Sequence, residues 1–423
     1  MSRTIFIFFF GILCVVGLSQ NEHLKKVYDD YNREYNTLNV PATELSYQAN
    51  FANIQSKEEL EEQEQFVKGY VDVLSKIEVL NLKQEDRILY KHLKYELSHH
   101  TQRLALEKEW KTSYKEVPLN GLHDLKNYKD WYTYYVKHFT SVEISPEQVF
   151  KMGAEEVKKA QGKISELRIK LAYKDEQSFY ADLESARFFS SSKQEILEAF
   201  ERIDNTVRKN LDKMFEPVMI PEIKAMEWPG ADASTPPGIY LSKDENPYKV
   251  DVFQFNFSTG RYNLRCMDWL YMHEAIPGHH LQHSYRKSDN GYFYFGNVEG
   301  WACYIEDLGE SMGLYTDPYK LLGKEEWNLV RSARLVMEVG IHYYGWTFEK
   351  AMSYWKENIK GQDQIAEREI KRITRWPGQS LCYKVGALTI QKIIAQKRKE
   401  GMSLQQAHTF LLEHSQFPLE ALL

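Results

Sequence analysis

The stretch Tyr271-Met272-His273-Glu274-Ala275-Ile276-Pro277-Gly278-His279-His280-Leu281-Gln282-His283 constrains this chain more than any other. It gathers four of the 13 histidines within a few residues and sets a carboxylate directly after the first. Histidine is the commonest metal ligand, and zinc favours imidazole nitrogen and carboxylate oxygen. In the helical zinc-binding pattern His-Glu-x-x-His, both histidines bind from one face and the Glu acts as general base. Here the fourth position after His273 is Pro277, and the next histidines are His279 and His280.

A helix advances ~100° and ~1.5 Å per residue. On a straight helix His280 would face the same way as His273 but lie roughly 10 Å further along, and His279 would point about 120° away. Neither pair could share one zinc at a Zn–N distance of ~2.0–2.1 Å. Pro277 changes this: it donates no hydrogen bond to the His273 carbonyl, and its ring clashes with that carbonyl. Gly278 tolerates unusual dihedrals. Together they are expected to break or bulge the helix and draw a later histidine back over the first. His279 or His280 would then be the second ligand.

The third ligand is expected from the following helical stretch, Asn297 to Asp307. There Glu299, Ala302, Cys303 and Glu306 share a face by their spacing. Glu299 is the candidate ligand, and Glu306, two turns on, would orient a ligand histidine.

His-Glu-Ala-Ile-Pro-Gly-His-His-Leu-Gln, then Glu-Gly-Trp-Ala-x-Tyr-x-Glu, then Trp376-Pro377-Gly378-Gln379-Ser380-x-x-Tyr383-Lys384-x-Gly386 resembles the bacterial domain-of-unknown-function-885 family. More distantly, the layout is similar to the helical gluzincin peptidases, such as the thimet-oligopeptidase and Taq-carboxypeptidase families. Their His-Glu-x-x-His is followed by a Glu some tens of residues on. Matched to that pattern, His279 becomes the second ligand, with a two-residue insertion ahead of it; His280 stays open as the alternative. The resemblance implies a mostly α, gluzincin-like zincin with a small antiparallel β-sheet beside the metal-binding helix. It also implies an oxyanion donor from a downstream helix, for which His342 and Tyr383 are the candidates.

Residues 1–19, MSRTIFIFFFGILCVVGLS, read as a cleaved secretory signal: Arg3, an apolar run from Ile5 to Val16, and small residues at Gly17 and Ser19. A secreted or periplasmic location follows, with no membrane span after cleavage. The net charge of −6 argues against a nucleic-acid partner. Beyond the leader lie Cys266, Cys303 and Cys382, an odd number that leaves at least one thiol unpaired. None has a Cys-x-x-Cys partner, so buried thiols are expected, with one bridge left open.

Residues 20–225 read as a helical framework, with apolar residues three and four apart, as at Leu24, Val27, Tyr28 and Tyr31. Ser145-Pro146 is a helix start. His99 and His100 are expected at a solvated position. Residues 226–423 form the zinc-binding region packed against this framework, together making one cleft-containing unit. Turn-rich sequence from 226 to 238 precedes two short strands, Ile239-Tyr240-Leu241 and Val250 to Phe255. The segment Gly238 to Leu241, including Tyr240, is a candidate sheet edge for an extended substrate. Tyr285 to Phe295 is expected to loop between the ligand helices. Arg331 and Arg334, one turn apart, could hold a peptide carboxylate through their guanidinium forks, but are expected instead to pair with Glu338 or the metal-helix carboxylates, and Arg375 and Gln379 are candidate substrate contacts.

These readings converge on a secreted zinc-dependent peptidase acting on peptides or oligopeptides. One zinc would be held by His273, His279 and Glu299, with Glu274 as base. A zinc amidase acting on a cell-wall or other non-peptide substrate, and a metal-binding protein without turnover, are the alternatives.

Overall fold

The computed structural model describes residues 19–113, 116–232, 235–285 and 292–423. Residues 1–18 of the expected leader and part of the expected Tyr285–Phe295 loop lie outside the described residues. Among the described residues the protein is mostly helical, with two small sheets. The framework helices begin where serine caps them: Ser19, Ser56 and Ser145 accept from the third residue on, and Glu22, Glu59 and Gln148 return the bond. Their apolar stripes, such as Leu24, Val27 and Tyr31 or Leu60, Val67, Tyr70 and Leu74, meet in one core.

Two further cores complete the molecule. One is built on the 157–188 segment and residues 322–373. The other surrounds the histidine-rich 271–283 stretch and takes in Ile196, Phe200, Ile203 and Val207 of the Lys193–Asn210 helix. Packing therefore crosses residue 225. The Pro318–His342 helix ties the molecule together, giving Leu335 and Val339 to the framework core and Leu329, Ala333 and Met337 to its neighbour.

The three-stranded sheet runs Ile223–Glu227, Asp251–Phe255, Gly238–Leu241 in space. The outer pair Gly238–Leu241 is antiparallel to the central strand, but Ile223–Glu227 is parallel to it. The sheet is thus mixed rather than antiparallel. The turn-rich segment carries the chain past the central position to the far edge, and the hairpin then returns it to the middle. Gly238–Leu241 is an edge strand, as expected. His99 and His100 are buried, not solvated. His99 faces His138 at 3.0 Å and His100 faces Glu96 at 3.4 Å, between the Gln84–Ser113 and Tyr128–Thr140 helices. A pair of adjacent polar residues gives no sign in sequence of a partner helix that covers them.

One crossing sets the position of the candidate metal ligands. The Phe295–Glu306 and Leu381–Lys399 helices meet at Gly296, Gly300 and Gly386. A Cβ on Gly300 would lie 2.6 Å from Gly386, and one on Gly386 would lie 2.2 Å from the Gly296 carbonyl oxygen. Only glycine permits this backbone approach. It brings Glu299, beside Gly300, close to Cys382 and Tyr383.

Candidate metal centre

His273 is the penultimate residue of the Met267–Glu274 helix. The helix stops at Glu274, and Ala275 leaves the helical region at φ −104°, ψ −106°. The Ile276–Pro277 peptide is cis. Gly278 then folds onto the end of the helix: a Cβ there would lie 2.0 Å from the His273 carbonyl oxygen and 2.2 Å from that of Met272. Helix resumes at His279–Ser284, and Trp301 Nε1 holds the break by donating to the Pro277 carbonyl at 2.9 Å. The rings of His273 and His279 end 4.8 Å apart and nearly perpendicular, at 82°.

Both rings turn toward Glu299. Its Oε2 lies 3.4 Å from His273 Nε2 and 3.6 Å from His279 Nε2. Tetrahedral coordination at ~2.0–2.1 Å places neighbouring ligand atoms roughly 3.3–3.4 Å apart; both histidine nitrogens stand near that spacing from Glu299 Oε2, and the three ligand atoms lie within 4.8 Å of one another. Glu299 Oε2 is buried without a hydrogen bond, and so is His279 Nδ1. Buried polar atoms are ordinarily satisfied, and a cation among these residues would satisfy the carboxylate. Burial would raise the Glu299 carboxyl, but His273 and His279 hold it well below the usual range. Burial would lower His273, yet Cys303, Glu299 and Glu306 draw it well above its ordinary value.

Glu306 reaches the His273 ring, the contact that the orienting role requires. Its Oε1 lies 2.8 Å from His273 Nδ1 and its Oε2 accepts from Arg331 Nη1 at 2.5 Å. With Nδ1 donating to Glu306, a neutral His273 would offer its Nε2 lone pair to a metal ion. His273, Cys303 and Glu306 form a second possible ligand group. Arg331 Nη2, 3.4 Å from His273 Nδ1, puts a guanidinium on that side, which repels a cation. Cys266, Cys303 and Cys382 are all free thiols.

His280 is not part of the cluster. Its Nε2 bonds the Pro221 carbonyl at 2.9 Å, and its Nδ1 lies 3.5 Å from the Tyr240 hydroxyl. Glu274 accepts from the Tyr240 amide at 2.9 Å, which anchors it to the sheet edge. Gly238 packs on the metal helix, where a Cβ would lie 3.3 Å from Leu270. Tyr383 stacks beside His273, with ring centroids 6.5 Å apart. Its hydroxyl oxygen accepts from Arg372 at 2.9 Å and Gln379 at 3.3 Å. Its own proton is therefore free to be donated elsewhere.

Two expectations are corrected. His342 does not serve as a donor to the site, because both ring nitrogens are engaged by backbone. Leu122 N–H donates to Nδ1 at 3.1 Å, and Nε2 bonds the Ile373 carbonyl at 2.9 Å. Burial lowers this histidine to about 4, so it stays neutral. Arg375 points to solvent, and Arg372, one turn earlier, faces the site instead.

A family model for bacterial proteins of unknown function, DUF885, matches residues 123–423. The chain belongs to that family. Among solved structures, this DUF885 chain is similar to a candidate lipoprotein from Colwellia psychrerythraea, at 23% identity and a TM-score of 0.65 over 84% of this chain. It spans 65% of the length of that protein. A candidate lipoprotein of unknown function from Shewanella oneidensis aligns at 18% identity and a TM-score of 0.59, over 86% of this chain and 72% of the other. Both likenesses concern the fold. No curated protein matches.

Proposed function

We propose that this DUF885 chain is an exported, zinc-dependent metallopeptidase of the helical gluzincin type, acting on peptides or oligopeptides. One observation carries the reading: His273 Nε2 and His279 Nε2 converge on an otherwise unpartnered Glu299 Oε2, with Glu274 next in chain to the first ligand. Zinc bound by these three residues would supply Lewis acidity toward a water and a carbonyl oxygen. Glu274, steadied by the Tyr240 amide, takes a proton from the attacking water and hands it to the leaving amine. Hydroxide thus joins the carbonyl carbon, the C–N bond breaks, and the amine leaves protonated. The Tyr383 O–H donates to the oxyanion; burial, with Glu299 nearby, pushes its pKa up to about 12, so it keeps the proton it must offer. The Gly238–Leu241 edge would receive an extended substrate through its backbone. The leader expected at residues 1–19 would direct export, and two solved structures of similar fold are described as candidate lipoproteins.

The test is metal content and peptide-library cleavage of the mature chain beside Glu274→Gln. We expect one zinc per chain in both proteins and a loss of cleavage of at least ~10³-fold in the variant. Bound zinc without cleavage by the wild type would leave an amidase or a non-catalytic metal protein. A chain that binds no metal would sink the proposal.

A further inference from the structure

Beside the candidate metal ligands stands a wall of arginines, not all of which are paired with its carboxylates. Arg331, Arg334, Arg368 and Arg372 gather there, facing Glu306 and Glu369. Glu306 takes Arg331. Glu369, 1% exposed, takes Arg334 at 2.7 Å and Arg368 at 3.0 Å. Arg372 meets no carboxylate oxygen among the described residues; its Nη2 is spent on the neutral Gln379 and Tyr383. Arg368 is partly exposed and Glu299 lies on the far side of Tyr383, so Arg372 is the member of this group left without an ion pair. Buried charge without a counterpart is costly. Burial depresses the Arg334 guanidinium; Glu369 opposes this, and Arg372 and Arg331 depress it further. Arg372 Nε is buried with no hydrogen-bond partner; it lies on the edge with which a guanidinium grips a carboxylate, once Nη2 exchanges a neutral partner for the anion.

That guanidinium lies where a substrate end would reach. Tyr383 links the two places, stacked 6.5 Å from His273 and with its ring 5.6 Å from the Arg372 guanidinium carbon and 5.4 Å from that of Arg334. An extended residue spans ~3.5 Å, so a carboxylate on Arg372 belongs to a chain ending one or two residues past the scissile bond. We propose that Arg372, backed by Arg334, receives the C-terminal carboxylate of a peptide, which makes the protein a carboxypeptidase releasing one or two residues per cut. This rests on the metallopeptidase reading above. A carboxylate from an acidic side chain is the other source of the same chemistry, and the test separates the two.

The probes are a neutral N-acylated peptide as free acid, the same peptide as C-terminal amide, and an amide carrying an internal Glu. On the zinc-loaded wild type, kcat/KM for the free acid is expected to exceed that for the neutral amide by on the order of 100-fold. Arg372→Gln is expected to erase that preference mainly through KM. Calorimetry on Glu274→Gln, which does not turn over, is expected to show the acid binding at least ~10-fold tighter than either amide. Cleavage of acid and neutral amide at equal rates overturns the carboxylate subsite while leaving the peptidase reading intact. Tighter binding of the Glu-bearing amide than of the free acid overturns the C-terminal assignment. Preferential binding of the free acid with no cleavage of any probe upholds the subsite and sinks the peptidase reading.

Discussion

His279 and His280 are neighbours in sequence with the same side chain, and their surroundings divide them. His279 Nε2 faces Glu299 while its Nδ1 is buried without a partner. His280 closes a contact between the short His279–Ser284 helix and the Pro221 carbonyl, and burial lowers its pKa. Removing one should cost metal and removing the other only packing. His279→Ala is expected to lower bound zinc from about one per chain to near none under dialysis, since two ligands cannot hold a tetrahedral ion against water. His280→Ala is expected to keep the metal and lose ~1–2 kcal/mol of stability through the broken hydrogen bond. Metal analysis and urea unfolding of both variants check this; loss of zinc from His280→Ala would reassign the ligand.

At the scale of elements, the centre depends on a helix that is interrupted and then resumed. Gly278 lies so close to the Met272 and His273 carbonyls that any side chain must push the His279–Ser284 helix away. Gly278→Ala is therefore expected to separate His279 from His273 and weaken zinc binding by at least ~100-fold, with a stability loss of ~3–5 kcal/mol. Metal titration alongside circular dichroism would show helix content nearly kept. Wild-type zinc affinity in that variant would mean the break does not set the ligand geometry. Much of this was legible beforehand, because proline and glycine act on their own backbone. The candidacy of His273, Glu299 and Glu306 lies in local spacing, whereas spacing left His279 and His280 open and only the family resemblance favoured His279 and brought in Tyr383. What failed to be legible depends on surfaces brought together from afar. His342 has the residue type of an oxyanion donor, but the framework turn at Leu122 and the carbonyl of Ile373 consume both its nitrogens. Arg375 and Arg372 are separated by most of a helical turn, and only the packing of the Asp363–Arg375 helix tells which one faces Tyr383. The parallel strand Ile223–Glu227 was hidden for the same reason, since its partner lies beyond the turn-rich segment.

At the scale of the whole molecule, burial of histidine sets how stability follows pH. His92, His99, His100, His138, His280, His342 and His408 are all held below the ordinary value by burial, with His92, His138, His342 and His408 at about 4. In the unfolded chain these side chains take up protons near pH 6.5, whereas the folded ones do so only at lower pH. Between pH 6.5 and about 4 the unfolded state thus binds more protons, and the stability contributed by these groups is lost as pH falls. The opposite sign belongs to groups whose folded values are raised. Burial lifts Glu107, Glu326 and Glu338, the last to about 7, and in the metal-free protein the contacts of His273 with Cys303, Glu299 and Glu306 overcome its burial. Their contribution is present at low pH and is lost as pH rises through the folded value. Seven groups pull one way and four the other, so the first sign is expected to win. The free energy of unfolding of the metal-free protein should rise from pH 5 to 6.5 with a slope of about one to three protons, each worth ~1.4 kcal/mol per pH unit. Zinc should steepen the rise, because it requires deprotonated ligands and removes the opposing contribution of His273. Urea titrations at half-unit pH steps, with and without zinc, measure both slopes. A flat or falling curve without metal would show that these histidines are protonated within the fold.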